Sequence, residues 1–172
     1  TDGSKTALHR LAKSEYCDVD RFNSFLEAGA NPFLQDNDGM NFLHLLLDMP
    51  KKPEFKSCIR ECLIRLSKLK DFDCNALGFG GNTAFSFYIK NGAVVELDTL
   101  KLFIELKADY SLTNSMGENI LHSIGRLGRY GNDFGPRIVI DKRVVEYLID
   151  LKINLNSTNE FEICSELGLV KL

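Results

Sequence analysis

The stretch Gly39-Met40-Asn41-Phe42-Leu43-His44 recurs along the chain in altered form. Its relatives are Ser4-Lys5-Thr6-Ala7-Leu8-His9, Gly81-Asn82-Thr83-Ala84-Phe85-Ser86 and Gly117-Glu118-Asn119-Ile120-Leu121-His122. Each begins with a small residue, has Thr or Asn two positions later, and continues with an apolar pair that precedes His in three of the four. The first residues of the four stretches are separated by 35, 42 and 36 positions. Self-similarity at such a period indicates a protein built from stacked repeats.

The sequence between these signatures also repeats. Each unit contains a short apolar helix and then a second helix, whose apolar residues recur at three- and four-residue steps and so share one face. The second helices are predicted at residues 19–26, 59–69, 97–106 and 144–151. Gly29 is the expected stop of the first of them, because glycine readily adopts the left-handed conformation that ends helices. Lys107 and Lys152 stand in the same place in units three and four, and they require a less comfortable geometry or a different cap.

This pattern resembles the ankyrin repeat, whose signature is T-P-L-H and whose usual period is 33 residues. The resemblance covers nearly the whole chain, although no signature contains Pro, Ser86 replaces His in the third, and two periods are long. It implies an all-α fold, an ankyrin-repeat solenoid of helix-turn-helix units joined by short β-hairpin-like fingers. We expect one domain over residues 1–172, with repeats at about 1–36, 37–78, 79–114 and 115–157 and a partial repeat or cap at 158–172.

The signature residues have structural roles in this interpretation. The Thr or Asn can accept hydrogen bonds from backbone N–H groups, so it is predicted to cap the first helix of its unit. These residues are Thr6, Asn41, Thr83 and Asn119. The signature His of ankyrin repeats hydrogen-bonds the loops that join neighbouring units, and the resemblance implies this role for His9, His44 and His122.

The partners of ankyrin repeats usually touch the hairpin tips and the exposed side of the first helices. Carried onto this sequence, these positions are Lys5, Lys13 and Ser14 in unit one; Asn37, Asp38, Met40 and Asp48 in unit two; Phe79, Asn82 and Lys90 in unit three; and Ser115, Met116, Glu118 and Arg126 in unit four. Met40, Phe79 and Met116 stand out, since aromatic residues and Met are enriched in interface cores. Either they meet a partner, or one or more of them folds back against a neighbouring finger.

The long units carry an uneven charge. We expect their extra residues between the first and second helix, at 49–57 and 128–142. Residues 51–70 contain seven basic residues against two acidic ones, and residues 125–152 contain six against four. One hypothesis is a second, basic contact edge suited to an acidic protein segment, and the alternative is that these side chains are merely solvated. The edge would contain Lys51, Lys52, Lys56, Arg129 and Arg137.

Several other classes of function find little support. The formal net charge of −3 gives no reason to expect nucleic-acid binding, and no apolar run approaches the roughly 18 residues needed for membrane insertion. The Gly-rich stretch at 78–82 lacks the spacing of a phosphate loop, and the stretch at 125–137 follows no strand and is interpreted as a long loop between the two helices of unit four. No catalytic, cofactor-binding or metal site is therefore predicted. The five cysteines are an odd count at irregular spacings, which favours reduced thiols in a cytoplasmic or nuclear protein.

These features predict a protein–protein interaction module, acting as an adaptor or as the recognition domain of a larger protein. The chain opens without an initiator Met, so we interpret it as a segment of a longer protein. Two alternatives remain open: an ankyrin segment that regulates a larger enzyme or channel, and a viral or bacterial effector that acts on host proteins.

Overall fold

The computed structural model describes residues 4–48, 55–90, 95–127 and 141–151. Within these ranges the chain is all-α, with one isolated antiparallel bridge between Leu77 and Thr83 and no β-strand. The helices are α1 (Ala7–Lys13), α2 (Val19–Glu27), α3 (Phe42–Asp48), α4 (Lys56–Leu66), α5 (Ala84–Lys90), α6 (Leu97–Glu105), α7 (Ile120–Leu127) and α8 (Lys142–Asp150). No helix in these ranges is long and apolar enough to cross a membrane.

The helices pack as a stack of pairs. The first helices of the pairs form one row, in which α1 packs on α3, α3 on α5 and α5 on α7. The second helices form another row, with α2 against α4 and α6 against α8. Helix α3 is enclosed by α1, α5 and α4, and for this reason every residue from Phe42 to Leu47 is buried. The main packing partners of each helix therefore lie in its own pair or in a neighbouring one.

Aromatic rings fill the space between the two rows. Phe22 of α2 stacks on Phe42 of α3, with ring centroids 4.4 Å apart. In the pair formed by α5 and α6, the ring centroid of Phe103 on α6 lies 5.1 Å from that of Phe85 and 5.3 Å from that of Tyr88, both on α5. Each large aromatic residue removes 150–250 Å² from water. These ring contacts therefore join second helices to first helices: α2 contacts α3 of the next pair, and α6 contacts α5 of its own pair.

The first helices are capped as the sequence predicts. At each signature a side-chain oxygen accepts a hydrogen bond from a backbone N–H group two or three residues later, which satisfies a donor that the helix itself leaves unpaired. The bonds run from His9 N to Thr6 Oγ1 (3.4 Å), from His44 N to Asn41 Oδ1 (3.1 Å), from Ser86 N to Thr83 Oγ1 (3.2 Å) and from Leu121 N to Asn119 Oδ1 (3.0 Å).

A loop of constant length precedes the signature helix of units two, three and four. We call these segments finger one (31–40), finger two (73–82) and finger three (109–118). Each opens with an Asx turn, in which the side chain of the first residue accepts from the backbone N–H two positions later. The turns join Asn31 to Phe33 (2.9 Å), Asp73 to Asn75 (2.8 Å) and Asp109 to Ser111 (2.9 Å).

Each finger also closes with the same backbone bond. The N–H of Asp36 donates to the carbonyl of Met40 at 2.9 Å, that of Gly78 to Asn82 at 2.8 Å, and that of Asn114 to Glu118 at 2.9 Å. In fingers one and three the side-chain oxygen at the first of these positions accepts two further backbone N–H groups, at 2.9–3.0 Å. Finger two has Gly78 there and lacks this side-chain clasp.

The helix ends confirm part of the sequence prediction. Gly29 follows α2 with φ +84°, and Lys107 follows α6 with φ +62°. The left-handed region costs a non-glycine residue roughly 1–2 kcal/mol, so Lys107 has the less comfortable geometry expected of it. Lys152 lies outside the described residues.

The extra length of unit two is distributed more widely than the sequence predicts. The expected insertion at 49–57 overlaps α4, which already begins at Lys56. Helix α4 has 11 residues, whereas α2 and α6 each have nine. Residues 67–72 separate α4 from finger two, while only residues 28–30 and 106–108 separate α2 and α6 from their fingers. The prediction was wrong in assigning all the added residues to one loop, because periodicity does not separate a longer helix from a longer loop.

Candidate partner-binding surface

Neighbouring fingers are joined by hydrogen bonds near their tips. Gln35 Nε2 of finger one donates to the carbonyl of Leu77 in finger two at 3.0 Å. Ser115 of finger three donates from both its backbone N–H (2.9 Å) and its hydroxyl (2.8 Å) to the carbonyl of Gly80 in finger two. These hydrogen bonds join the three fingers into one continuous edge of the molecule, in the order finger one, finger two, finger three.

Large apolar side chains are exposed along this edge. Phe79 is 64% exposed and Leu77 is 53% exposed, both in finger two, while Met116 of finger three is 40% exposed and Leu34 of finger one is 50% exposed. Phe79 and Met116 each adjoin one end of the Gly80–Ser115 hydrogen bonds, so both flank the junction between the two fingers. Single exposed apolar residues are common on protein surfaces. Four on adjacent hydrogen-bonded loops make this edge the candidate contact surface.

Met40 follows the other course and folds back beneath finger two. Only 4% of its surface is exposed, and its sulfur accepts the backbone N–H of Phe79 at 3.2 Å. A Cβ atom placed on Gly78 would lie 2.9 Å from this sulfur and 2.9 Å from the His44 ring. Finger two thus lies against Met40 so closely that a side chain at position 78 would have to displace Met40 or the His44 ring, and Met40 is not part of the accessible surface.

Asn82 and Glu118 are also buried, with 7% and 4% of their surfaces exposed, whereas a partner-binding role requires them at the surface. The amide of Asn114 explains this, because it donates to Asn82 Oδ1 at 3.2 Å and to Glu118 Oε2 at 3.0 Å. Lys90, which is half-buried, donates to the same Asn82 oxygen at 2.8 Å. These predicted binding residues therefore form an internal polar network that holds finger three against finger two and α5.

The other predicted binding residues lie at the surface or outside the described side chains. Asn37 and Asp38 are exposed at the tip of finger one, Asp48 is exposed at the end of α3, and Ser115 is exposed in finger three. In unit one, Lys5 and Lys13 are exposed and Ser14 is half-buried. The backbone of Arg126 belongs to α7, but its side chain is not among those described.

The signature histidines of units one and two connect each unit to the next finger. His9 Nε2 lies 2.9 Å from the carbonyl of Met40, and His44 Nε2 lies 2.9 Å from the carbonyl of Ala76. The Nδ1 atoms accept the backbone N–H groups of Thr6 (2.8 Å) and Asn41 (3.3 Å). This arrangement assigns the ring proton to Nε2. Burial lowers the pKa of His44, which keeps its ring neutral in this role.

His122 repeats only half of this arrangement. Its Nδ1 accepts the backbone N–H of Asn119 at 3.2 Å. Its Nε2 is buried and has no hydrogen-bond partner among the described residues. The acceptors of His9 and His44 lie 31 and 32 residues further along the chain, and the matching position after His122 falls outside the described residues.

Little of the basic edge can be placed. Lys51, Lys52, Arg129 and Arg137 lie outside the described residues. Lys56 opens α4, and its ammonium group lies 3.6 Å from a carboxylate oxygen of Glu96. This pairing partly neutralises Lys56, and the basic edge stays a prediction.

Leu77 is an exposed apolar residue of this edge that the sequence analysis missed. It occupies the place that Gln35 has in finger one and Thr113 has in finger three, so an apolar residue there is peculiar to finger two. Aligning the complete fingers rather than the signatures alone would have shown it.

The described residues contain no group of three or more His, Cys, Asp or Glu side chains arranged to hold a metal ion. Cys17, Cys58, Cys62 and Cys74 are buried and form no disulfide among the described residues, and Cys164 lies outside those residues. The sulfurs of Cys58 and Cys62 lie 3.9 Å apart on one face of α4. Burial raises the pKa of Cys74 to about 12, which makes this thiol a poor nucleophile.

Comparison with protein-family models gives no match for this chain, and comparison with curated proteins gives none either.

Proposed function

We propose that this chain is an ankyrin-type repeat module that binds another protein through its fingers. The observation that carries the proposal is the exposure of Phe79, Leu77 and Met116 on two adjacent fingers joined by hydrogen bonds. We call this set the apolar finger surface. Exposed polar residues of the same finger edge are Asn37, Asp38 and Ser115. An apolar centre with a polar rim is the usual composition of a protein interface.

The ankyrin type is supported by recurrence rather than by any one residue. The signature caps, the Asx turns and the closing bonds of the fingers recur with the period of the sequence, and the first helices pack in a continuous row. In repeat proteins each unit packs mainly on its neighbours, and loops held on such a scaffold are well suited to recognition. The proposed activity is binding, as an adaptor or as the recognition part of a larger protein.

The rigidity of the fingers favours binding through this surface. The backbone of finger two is fixed by Gln35 on one side and by Ser115 on the other. A partner that covers Phe79 therefore orders little additional chain, so less conformational entropy is lost on association. Burial of one large aromatic side chain contributes roughly 1.5–3 kcal/mol, which makes Phe79 the expected centre of the contact.

Photo-cross-linking tests the proposal. Phe79 is replaced by a photoreactive phenylalanine analogue, and the full chain is irradiated in a lysate of the source organism. The expected result is a discrete cross-linked protein that excess wild-type chain competes away and the Phe79→Ala, Met116→Ala variant does not. Tyr16 provides a matched control, since it is an aromatic residue with 74% exposure in the loop between α1 and α2. The same cross-linked products from both positions, or none from position 79, would contradict the proposal.

A further inference from the structure

The three fingers have a one-sided charge. Residues 31–40, 73–82 and 109–118 contain Asp36, Asp38, Asp73, Asp109 and Glu118 but no Lys, Arg or His. The whole chain holds 21 Lys and Arg residues against 24 acidic ones, so basic residues are excluded from the fingers although they are plentiful elsewhere. All the charged side chains of the fingers are therefore acidic, although Lys90 of α5 donates to Asn82 of finger two.

Two of these five carboxylates are buried and accept hydrogen bonds that stabilise the fingers. Asp36 is buried, and its Oδ1 accepts the backbone N–H groups of Asp38 and Met40, each at 3.0 Å. Glu118 is buried and accepts the Asn114 amide at 3.0 Å. Their positions follow from the closing of the fingers.

The other three carboxylates are exposed, and the fold does not require their charge. Asp73 and Asp109 accept the first N–H of an Asx turn, but Asn31 makes the same turn with a neutral amide at 2.9 Å. Asp38 occupies the place of Gly80 in finger two and Met116 in finger three, so the tip does not depend on a carboxylate there. Hydrogen bonds from Ser111 lower the pKa of Asp109, which keeps it ionised.

We infer that the apolar finger surface binds a protein segment that combines large apolar side chains with Lys or Arg residues. This inference rests on the proposed function and specifies the partner. Apolar residues of the segment cover Phe79, Leu77 and Met116, while its cations face Asp38, Asp73 and Asp109. Exposed charges on the loops that carry an interface accelerate association, exclude acidic segments and lose strength as salt rises.

A random 16-residue peptide library displayed on phage tests the inference. The library is selected on the full wild-type chain, and peptides that also bind the Phe79→Ala, Met116→Ala variant are removed. The remaining peptides should be enriched in Lys or Arg together with aromatic or aliphatic residues. Their affinity is then measured for an Asp38→Asn, Asp73→Asn, Asp109→Asn variant, whose amides preserve the turn acceptors. We expect roughly five- to twentyfold weaker binding at low salt and a smaller difference at high salt.

The control variant carries Asp20→Asn, Asp98→Asn and Asp150→Asn. It also loses three negative charges, but from exposed positions on α2, α6 and α8, and it should bind the selected peptides as the wild-type chain does. Thermal unfolding of both triple variants establishes that they are folded.

The outcomes separate the inference from the proposed function. Peptides that need Phe79 and Met116 but are neutral or acidic would overturn the inference and leave the binding function standing. Equal affinity for the two triple variants would have the same meaning. If no peptide remains after those that also bind the Phe79→Ala, Met116→Ala variant are removed, both the inference and the proposed function fail.

Discussion

Finger two differs from fingers one and three in how its tip is held. In fingers one and three, Asp36 and Asn114 each clasp two backbone N–H groups of their own loop, and the finger is closed from within. In finger two, Gly78 stands at that position and the loop lies on Met40 and His44 of the preceding unit. The backbone bond that closes the loop is nevertheless the same in all three.

The difference shows that one loop shape can be stabilised in two ways. In fingers one and three the clasp position holds a polar side chain, which satisfies backbone N–H groups within the loop. A finger supported from below has no polar clasp, and Leu77 and Phe79 are left facing solvent. The two most exposed large apolar residues of the fingers therefore lie in the finger that rests on the preceding unit, while Leu34 and Met116 are exposed in fingers one and three.

The two finger methionines provide the largest contrast. Met40→Ala should reduce the free energy of unfolding by about 2–4 kcal/mol, because it removes a buried side chain and leaves a cavity under finger two. Met116→Ala should have a smaller effect, about 0.5–1 kcal/mol, since 40% of this residue is already exposed in the folded chain. Urea denaturation of both variants measures the difference, and two small, equal effects would show that finger two does not rest on Met40.

Gly78→Ala sharpens the comparison between the fingers. We expect a loss of about 1–3 kcal/mol from overpacking, since the new Cβ would meet Met40 and a His44 ring that is hydrogen-bonded at both nitrogens. Part of this loss should disappear in a Met40→Ala background, which gives a coupling energy in a double-mutant cycle. The control is Gly29→Ala, where nothing lies within 4 Å of the added Cβ. Its cost comes from its φ of +84° alone, and it should be additive with Met40→Ala.

The attachment of finger two should also depend on pH, with a smaller effect. Burial lowers the pKa of His44 below its usual 6.5, so between the two pKa values the unfolded chain binds a proton that the folded chain does not. Stability is then greatest above pH 6.5 and falls as the pH decreases through the folded-state pKa. Denaturation at several pH values between 7 and 5 measures this slope, and His44→Gln should reduce it. An NMR titration showing His44 protonated above pH 6.5 would refute this explanation.

The sequence predicted what recurs and failed where neighbouring units interact. Thr6, Asn41, Thr83 and Asn119 were identified as caps because a cap depends only on the next few residues. The roles of His9 and His44 followed from the resemblance and their recurrence in phase. The sequence did not distinguish buried Met40 from exposed Met116, because the burial of each side chain depends on which residues of the next unit pack against it. The burial of Asn82 and Glu118 escaped prediction for the same reason, because Asn114 joins them across two units.

Units of unequal length have a mechanical consequence. Because the main packing partners of each helix lie in its own pair or the next, a pulling force applied at the two ends of the described stack is borne by the units in series. Such a stack yields unit by unit rather than all at once. A released chain extends by about 3.5 Å per residue, so the unit of 42 residues lengthens the molecule by roughly 25 Å more than the unit of 35. Under tension, the irregular spacing of the signatures therefore predicts unfolding steps of unequal extension.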